Sequence, residues 1–196
     1  MDEERVKRAV DEWLDALDIG LATPDRAATA KRVAELWSDL LSGVGEDASA
    51  YLRGGFAAGY HELVALRGIP FFSMCEHHLL PFFGTVHVAY IPGAAGNVAG
   101  ASNLAKVVAS VSRRLQIQER LTSEIAEAIA TGVDASAVLV VAQGEHLCMT
   151  MKDHTDVGSQ LLTTVALGRF QEDQALRAQA VSLLLELAKT GMGGAR

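Results

Sequence analysis

The sequence predicts an α+β fold, with a mainly antiparallel sheet backed by helices and an N-terminal helical pair in front of it. Two observations predict it. Apolar residues recur at helical spacing in some segments and alternate, rich in β-branched and aromatic residues, in others. The segments also arrive in blocks, in the order helix pair, two strands, helix pair, strands, helix. With 196 residues and 49% hydrophobic composition, the chain can bury one good core. Residues 1–50 are expected to form a helical segment and residues 51–196 the domain proper.

Residues 2–17 place Val6, Val10, Trp13, Leu14 and Leu17 on one helical face, with acidic residues in the first turn to suit the helix dipole. The segment "TAKRVAELWSDLLSG" repeats the pattern through Val33, Leu36, Trp37, Leu40 and Leu41, and Gly43 is placed to end it. A Pro-containing turn joins the two. From about residue 61, "HELVALRGIPFF" and "FFGTVHVAYIPG" read as strands on either side of the segment Cys75-Glu76-His77-His78. Residues 102–131 return to helix with a break near Gln116, and "SAVLVVAQGEHLCMTM" reads as two strands around Gly144. "LLTTVALGRF" is a further strand, residues 173–189 form a closing helix, and the helices are expected to cover one face of the sheet. There is no internal repeat, low-complexity tract or linker.

A net charge of −7 and a pI near 5.3 argue against a nucleic-acid binder, which needs a basic face. The opening "MDEERVKRAVDEW" lacks the apolar run of a secretory signal, and no stretch is long enough to span a bilayer. These features predict a soluble cytoplasmic protein with a small-molecule or protein partner, and no nucleic acid or membrane. Of the two cysteines, Cys75 and Cys148, neither is expected in a disulfide in a reducing compartment.

The chemistry concentrates at "SMCEHHLLPFF". A thiol, a carboxylate and two imidazoles in four consecutive positions of an apolar segment are costly to desolvate without partners or a metal. Cys75 and His78 stand three apart and can converge on one ion. Cys148 is the other thiol, and on a strand His146, two residues earlier, would share its face. Sulfur with imidazole suits Zn2+, and three protein ligands leave a fourth position for a water whose pKa the metal lowers. His77 and His146 would then be free to move protons. Two other readings stand beside this one. The zinc site could be closed and structural, with His77 or His146 as fourth ligand, and Cys148 taken alone reads as a small buried apolar residue. Glu76 reads as a hydrogen-bond partner of a ligand imidazole, and His87 and His154 as ordinary surface or satisfied residues.

With these residues in hand, the chain resembles the GTP cyclohydrolase I family. The likeness runs from "TAKRVAELWSDLLSG" to "LGRF" and is densest in "SMCEHHLLPFFGTVHVAYIPG", "SRRLQIQERLTSEIAEAI" and "EHLCMTM". The resemblance implies a tunnelling fold whose strands join those of other subunits in a barrel, a homo-oligomer (a decamer in this family), and active sites between subunits. It implies that Cys75, His78 and Cys148 hold zinc and that His77 and His146 are catalytic. Gln118 and Glu119 of "QIQER" would hold the guanine edge of a purine substrate, Glu119 as a buried carboxylate accepting two hydrogen bonds. The implied reaction adds water to carbon 8 of the guanine ring of GTP, releases formate and recloses the product as a dihydropterin.

Departures from the family pattern cluster where it holds the triphosphate. "GASNLAK" carries Ser102, but Asn103 stands in place of a lysine and Lys106 in place of an arginine. After the second cysteine come Lys152 and Asp153, where the family has arginine and glycine, while Arg32 is retained. One cation is lost and one anion gained, and forked guanidinium groups become point-charge ammoniums. An enzyme on the same scaffold, opening or closing a ring in another guanine-like heterocycle with fewer phosphates, is therefore the alternative. A non-catalytic ligand-binding or regulatory homologue is the contrasting class.

Overall fold

A computed structural model describes residues 1–18, 20, 22–151 and 158–185. In chain order the elements are α1 (Glu3–Ala16), α2 (Thr23–Leu40), a 3-10 turn (Ala48–Leu52), β1 (Phe56–Ala57), β2 (Val64–Cys75), β3 (Pro81–Pro92), β4 (Asn97–Val98), α3 (Ala101–Ser112), β5 (Leu115–Gln116), α4 (Gln118–Gly132), β6 (Ala135–His146), α5 (Leu147–Thr150), β7 (Leu161–Gly168), α6 (Arg169–Glu172) and α7 (Gln174–Leu185). The expected α+β class is the one observed.

Asp2 caps α1 by accepting from the Arg5 amide at 2.9 Å, and Glu3 and Glu4 complement the dipole in the first turn. Pro24 lies in the first turn of α2 rather than in the connecting turn, a position where its missing N–H breaks no helical bond. α1 and α2 pack on each other with Leu14, Ala30 and Ala34 buried, and Arg26 of α2 pairs with Asp11 and Asp15 of α1. α2 ends at Leu40, short of Gly43, which serves close approach rather than capping. A Cβ there would lie 1.9 Å from the Ser110 carbonyl oxygen of α3, and the Gly43 amide bonds the Arg113 carbonyl at 3.0 Å.

The main sheet has the order β5-β2-β3-β6-β7. Its pairings are antiparallel except for β5, which runs parallel to the end of β2 with Cys75 opposite Gln116. β5 is the break foreseen near Gln116 between the two central helices. Gly144 does not separate two strands: β6 runs straight through it to His146 and is followed by the short helix α5. Gly144 faces Gly84 of β3, and a Cβ on Gly84 would lie 1.9 Å from the Gln143 carbonyl oxygen, so these glycines admit a close backbone approach inside the sheet.

Helices cover both faces of the sheet, not one. The 3-10 turn, α3 and α4 enclose Phe71, Phe82, Val86, Val88, Val138 and Val140, whereas Phe170, Ala180 and Leu184 enclose Ala89, Ile91, Leu139 and Val141. That is why β3 and β6 read as nearly continuous apolar runs toward their middles, as strands buried on both faces do. The closing helix is described as far as Leu185; residues 186–189 of its expected range lie outside the described residues. Among the described residues no helix is long and apolar enough to cross a membrane.

Candidate metal centre

Cys75 ends β2, and the chain then closes a tight turn. The Cys75 amide bonds the Leu80 carbonyl at 2.9 Å, the Leu79 amide bonds the Cys75 carbonyl at 2.9 Å, and Leu79 takes a left-handed φ of 54°. A β-carbon in that conformation costs about 1–2 kcal/mol, an expense the turn tolerates because it folds His78 back toward Cys75. The Glu76 amide bonds the Gln116 carbonyl at 3.1 Å and ties the turn to β5.

Cys148 arrives from the other direction. β6 pairs with β3, placing His146 opposite Phe82, and α5 then carries Cys148. The expected strand position for Cys148 is therefore replaced by a helical turn, since the chain leaves the sheet at His146. The ligand atoms of Cys75, His78 and Cys148 all lie within 4.8 Å of one another. A tetrahedral ion with metal–sulfur bonds of about 2.3 Å and metal–nitrogen bonds of about 2.0 Å holds its ligand atoms roughly 3.5 Å apart, so a small side-chain adjustment seats a metal. Burial, and then the neighbouring Cys75, push the Cys148 thiol up from its ordinary value. Two adjacent thiols are hard to ionise together without a cation, and a bound cation reverses that penalty. The donor set fits a metal.

His146 is half-buried beside this cluster. Its ring stacks on Phe82 with centroids 4.7 Å apart and planes 11° from parallel, and its Nε2 lies 2.9 Å from Gln118 Oε1. Burial holds the imidazole below its ordinary pKa, while the nearby Glu119 carboxylate pulls it up. Gln118 is 1% exposed, and its amide nitrogen lies 3.1 Å from the Ala142 carbonyl, 2.9 Å from the Leu161 carbonyl and 3.1 Å from Thr163 Oγ1. The side chain that the resemblance assigns to the guanine edge is thus hydrogen-bonded inside the protein. Glu119, next along, is exposed on the first turn of α4 rather than buried, and it has no ion pair among the described residues.

His77 is exposed on the turn, with its ring 6.3 Å from that of His78 and its Nε2 3.8 Å from Glu76 Oε1. Glu76 does not orient a ligand imidazole. Its carboxylate pairs with Arg120 of α4, whose hydrogen bond, opposed by desolvation and helped by the Arg120 and His77 charges, holds it below the usual carboxylate range. Arg120 also donates to Gln116 Oε1 at 2.8 Å and to the Leu115 carbonyl at 2.7 Å, so one guanidinium joins the turn, β5 and α4. Sequence reading missed Arg120 and Phe82. The only hint was an unmatched carboxylate in the Cys75–His78 run.

Ser102, Asn103 and Lys106 share the first two turns of α3, with Ser102 and Lys106 exposed and Asn103 half-buried. Gly100 caps α3 without a side-chain hydrogen bond. Arg32 is exposed on α2, where it donates to Thr29 at 3.0 Å. The structure thus gathers Cys75, His78 and Cys148, joins Gln118 to His146, and leaves Arg32 on the helical pair. Lys152, Asp153 and His154 lie outside the described residues. His87 is buried and satisfied, accepting from the Gly68 amide at 3.3 Å.

The family model for GTP cyclohydrolase I matches residues 6–185. The GTP cyclohydrolase 1 of Dehalococcoides mccartyi is 42% identical over 186 residues, covering 93% of this chain and 97% of its own. That of Corynebacterium glutamicum is 44% identical over 186 residues, with 93% of each chain covered. That of Halalkalibacterium halodurans is 41% identical over 184 residues, covering 94% and 97%. Among solved structures, the archaeosine synthase QueF-Like in the apo form overlays 54% of this chain and 93% of its own, with a TM-score of 0.43 at 23% identity.

Proposed function

The chain belongs to the GTP cyclohydrolase I family, and from that premise we propose that it is a zinc-dependent hydrolase opening the guanine imidazole ring of GTP, releasing formate and reclosing the remainder as a dihydropterin triphosphate. The observation that carries this reading is the convergence of Cys75, His78 and Cys148 within 4.8 Å, beside a half-buried His146 and an exposed Glu119. Cys75, His78 and Cys148 hold the ion. When bound, zinc supplies a Lewis acid that makes water nucleophilic at neutral pH.

The remaining work falls to the chain's own side chains. Glu119 accepts hydrogen bonds from the ring N–H and the exocyclic amine of the guanine, and its exposure leaves both carboxylate oxygens available. His146 and His77 move protons, one onto the ring nitrogen beside carbon 8 and one from the attacking water. Ser102 and Lys106 meet the phosphates at the N-terminus of α3, where unpaired amides and the helix dipole favour anions. Lys152 and Arg32 complete that set, Arg32 from a helical pair that packs on itself. The protein works as a cytoplasmic homo-oligomer, its sheet extended through the edge strands β5 and β7.

Asn103 favours a second reading, a guanine-like substrate with fewer phosphates, because an amide replaces a cation on the phosphate-facing helix. Loss of one charge-assisted hydrogen bond costs about 1.5–3 kcal/mol, roughly ten- to a hundredfold in affinity. Calorimetric titration of GTP, GMP and guanosine onto zinc-loaded protein separates the readings. The GTP reading expects affinity to rise with each phosphate and to fall with salt. Guanosine binding as tightly as GTP would establish the second reading instead.

A further inference from the structure

We infer that Gln118 is a positioning residue that holds the His146 ring as its Nε2–H tautomer, leaving Nδ1 the unprotonated nitrogen. What that nitrogen does in turnover rests on the cyclohydrolase reading; the tautomer does not.

The inference follows from donor and acceptor bookkeeping. The Ala142 and Leu161 carbonyls can only accept, so the end of the Gln118 amide facing them at 3.1 Å and 2.9 Å must be the NH2 group. That nitrogen has two N–H bonds for the two carbonyls, and Thr163 Oγ1 at 3.1 Å shares one of them. Thr122 donates to the main-chain carbonyl of Gln118 at 2.6 Å, which leaves Thr122 Oγ1 to accept from Thr163 at 2.6 Å.

The amide oxygen must then be the end that meets His146. An amide oxygen has no proton to give, so the contact at 2.9 Å requires the proton on His146 Nε2. Gly144 makes the arrangement possible, because a Cβ there would lie 2.6 Å from the same oxygen. Phe82, stacked on the ring at 4.7 Å, fixes its plane. A histidine with one nitrogen committed as a donor and its ring plane fixed keeps the other nitrogen unprotonated, the same logic by which an acceptor behind a catalytic imidazole selects its tautomer.

The test has two arms. In the first, the solid-state nitrogen-15 spectrum of metal-loaded wild-type protein carrying labelled histidine is compared with that of His146→Asn to identify the His146 signals. A protonated Nε2 and an unprotonated Nδ1 are expected, and the opposite pattern overturns the inference whether or not the protein turns over GTP. In the second, Gln118→Met keeps the volume and removes both donor and acceptor. Its kcat for formate release should fall on the order of tenfold to a hundredfold, with calorimetric guanosine affinity unchanged. Weakened guanosine binding with kcat retained would make Gln118 a guanine reader and overturn the assignment. Should Gln118→Met not fold, the wild-type spectrum decides alone. If wild-type protein releases no formate, the reaction assignment fails while the spectrum still settles the tautomer.

Discussion

Replacing Gly144 with alanine places one methyl group where the structure has no room for it. The new Cβ would lie 2.6 Å from Gln118 Oε1 and 3.2 Å from Phe71 Cζ, about 0.8 Å short of ordinary contact with the oxygen. The amide cannot retreat freely, because Ala142, Leu161 and Thr163 hold its other end. Overpacking costs about 1–3 kcal/mol and a lost bond to His146 about 1 kcal/mol. Alanine recovers about 0.5–1 kcal/mol through its lower backbone entropy loss in a strand. Destabilisation should therefore prevail, at about 1–3 kcal/mol, which lowers the melting temperature of a chain this size by roughly 3–10 °C. Calorimetric melting of metal-loaded wild type and Gly144→Ala measures the shift, and formate release measures whether His146 has lost its partner. A variant that melts and turns over like wild type would show that the amide does not occupy the space beside Gly144, and the positioning account would fail with it.

Three further outcomes are expected. Cys148→Ser should lose the zinc that wild-type protein binds at about one ion per chain, read by elemental analysis after gel filtration; full retention would remove Cys148 from the ligand set. His77→Ala and His146→Ala should keep the metal but slow turnover roughly a hundredfold or more, and loss of metal in either variant would point instead to a closed structural site. Burial, and then the Arg67 charge, hold the His87 imidazole below its ordinary value, and the Gly68 amide donating to its Nδ1 requires the neutral ring. The unfolded chain then binds this proton at higher pH than the folded one. The His87 contribution is thus fully present above about pH 6.5 and is lost as pH falls through and below that value. Denaturant titrations across this range should show a shallower decline for His87→Gln, and an identical decline would dismiss His87 as the source.

How much was legible beforehand depended on how local the cause was. The strands flanking Cys75–His78 and the break at Gln116 were legible because alternation, apolar periodicity and turn residues act within a few positions. Gly144 was misread because a glycine in a strand pattern resembles a turn from sequence alone; its reason for being glycine is Gln118, 26 positions earlier on α4, and Phe71 on β2. The partners of Gln118 lie 24 to 45 residues away in the chain, so its commitment to the interior leaves no pattern to read. Glu76 found Arg120 at a separation of 44 residues for the same reason. Helix cover on both faces could have been seen in the unbroken "AVLVVA" of β6, where a one-sided strand would have alternated.

The central claim is ring opening at carbon 8 of guanine by a metal-dependent site. Incubating zinc-loaded protein with GTP labelled with carbon-13 at position 8, and following the carbon spectrum, tests it most directly. The label should leave the purine and appear in formate while a fluorescent pterin accumulates, and both should cease when the metal is chelated and return when zinc is restored. A label that stays in the purine ring throughout, with zinc bound and the protein folded, would contradict the claim.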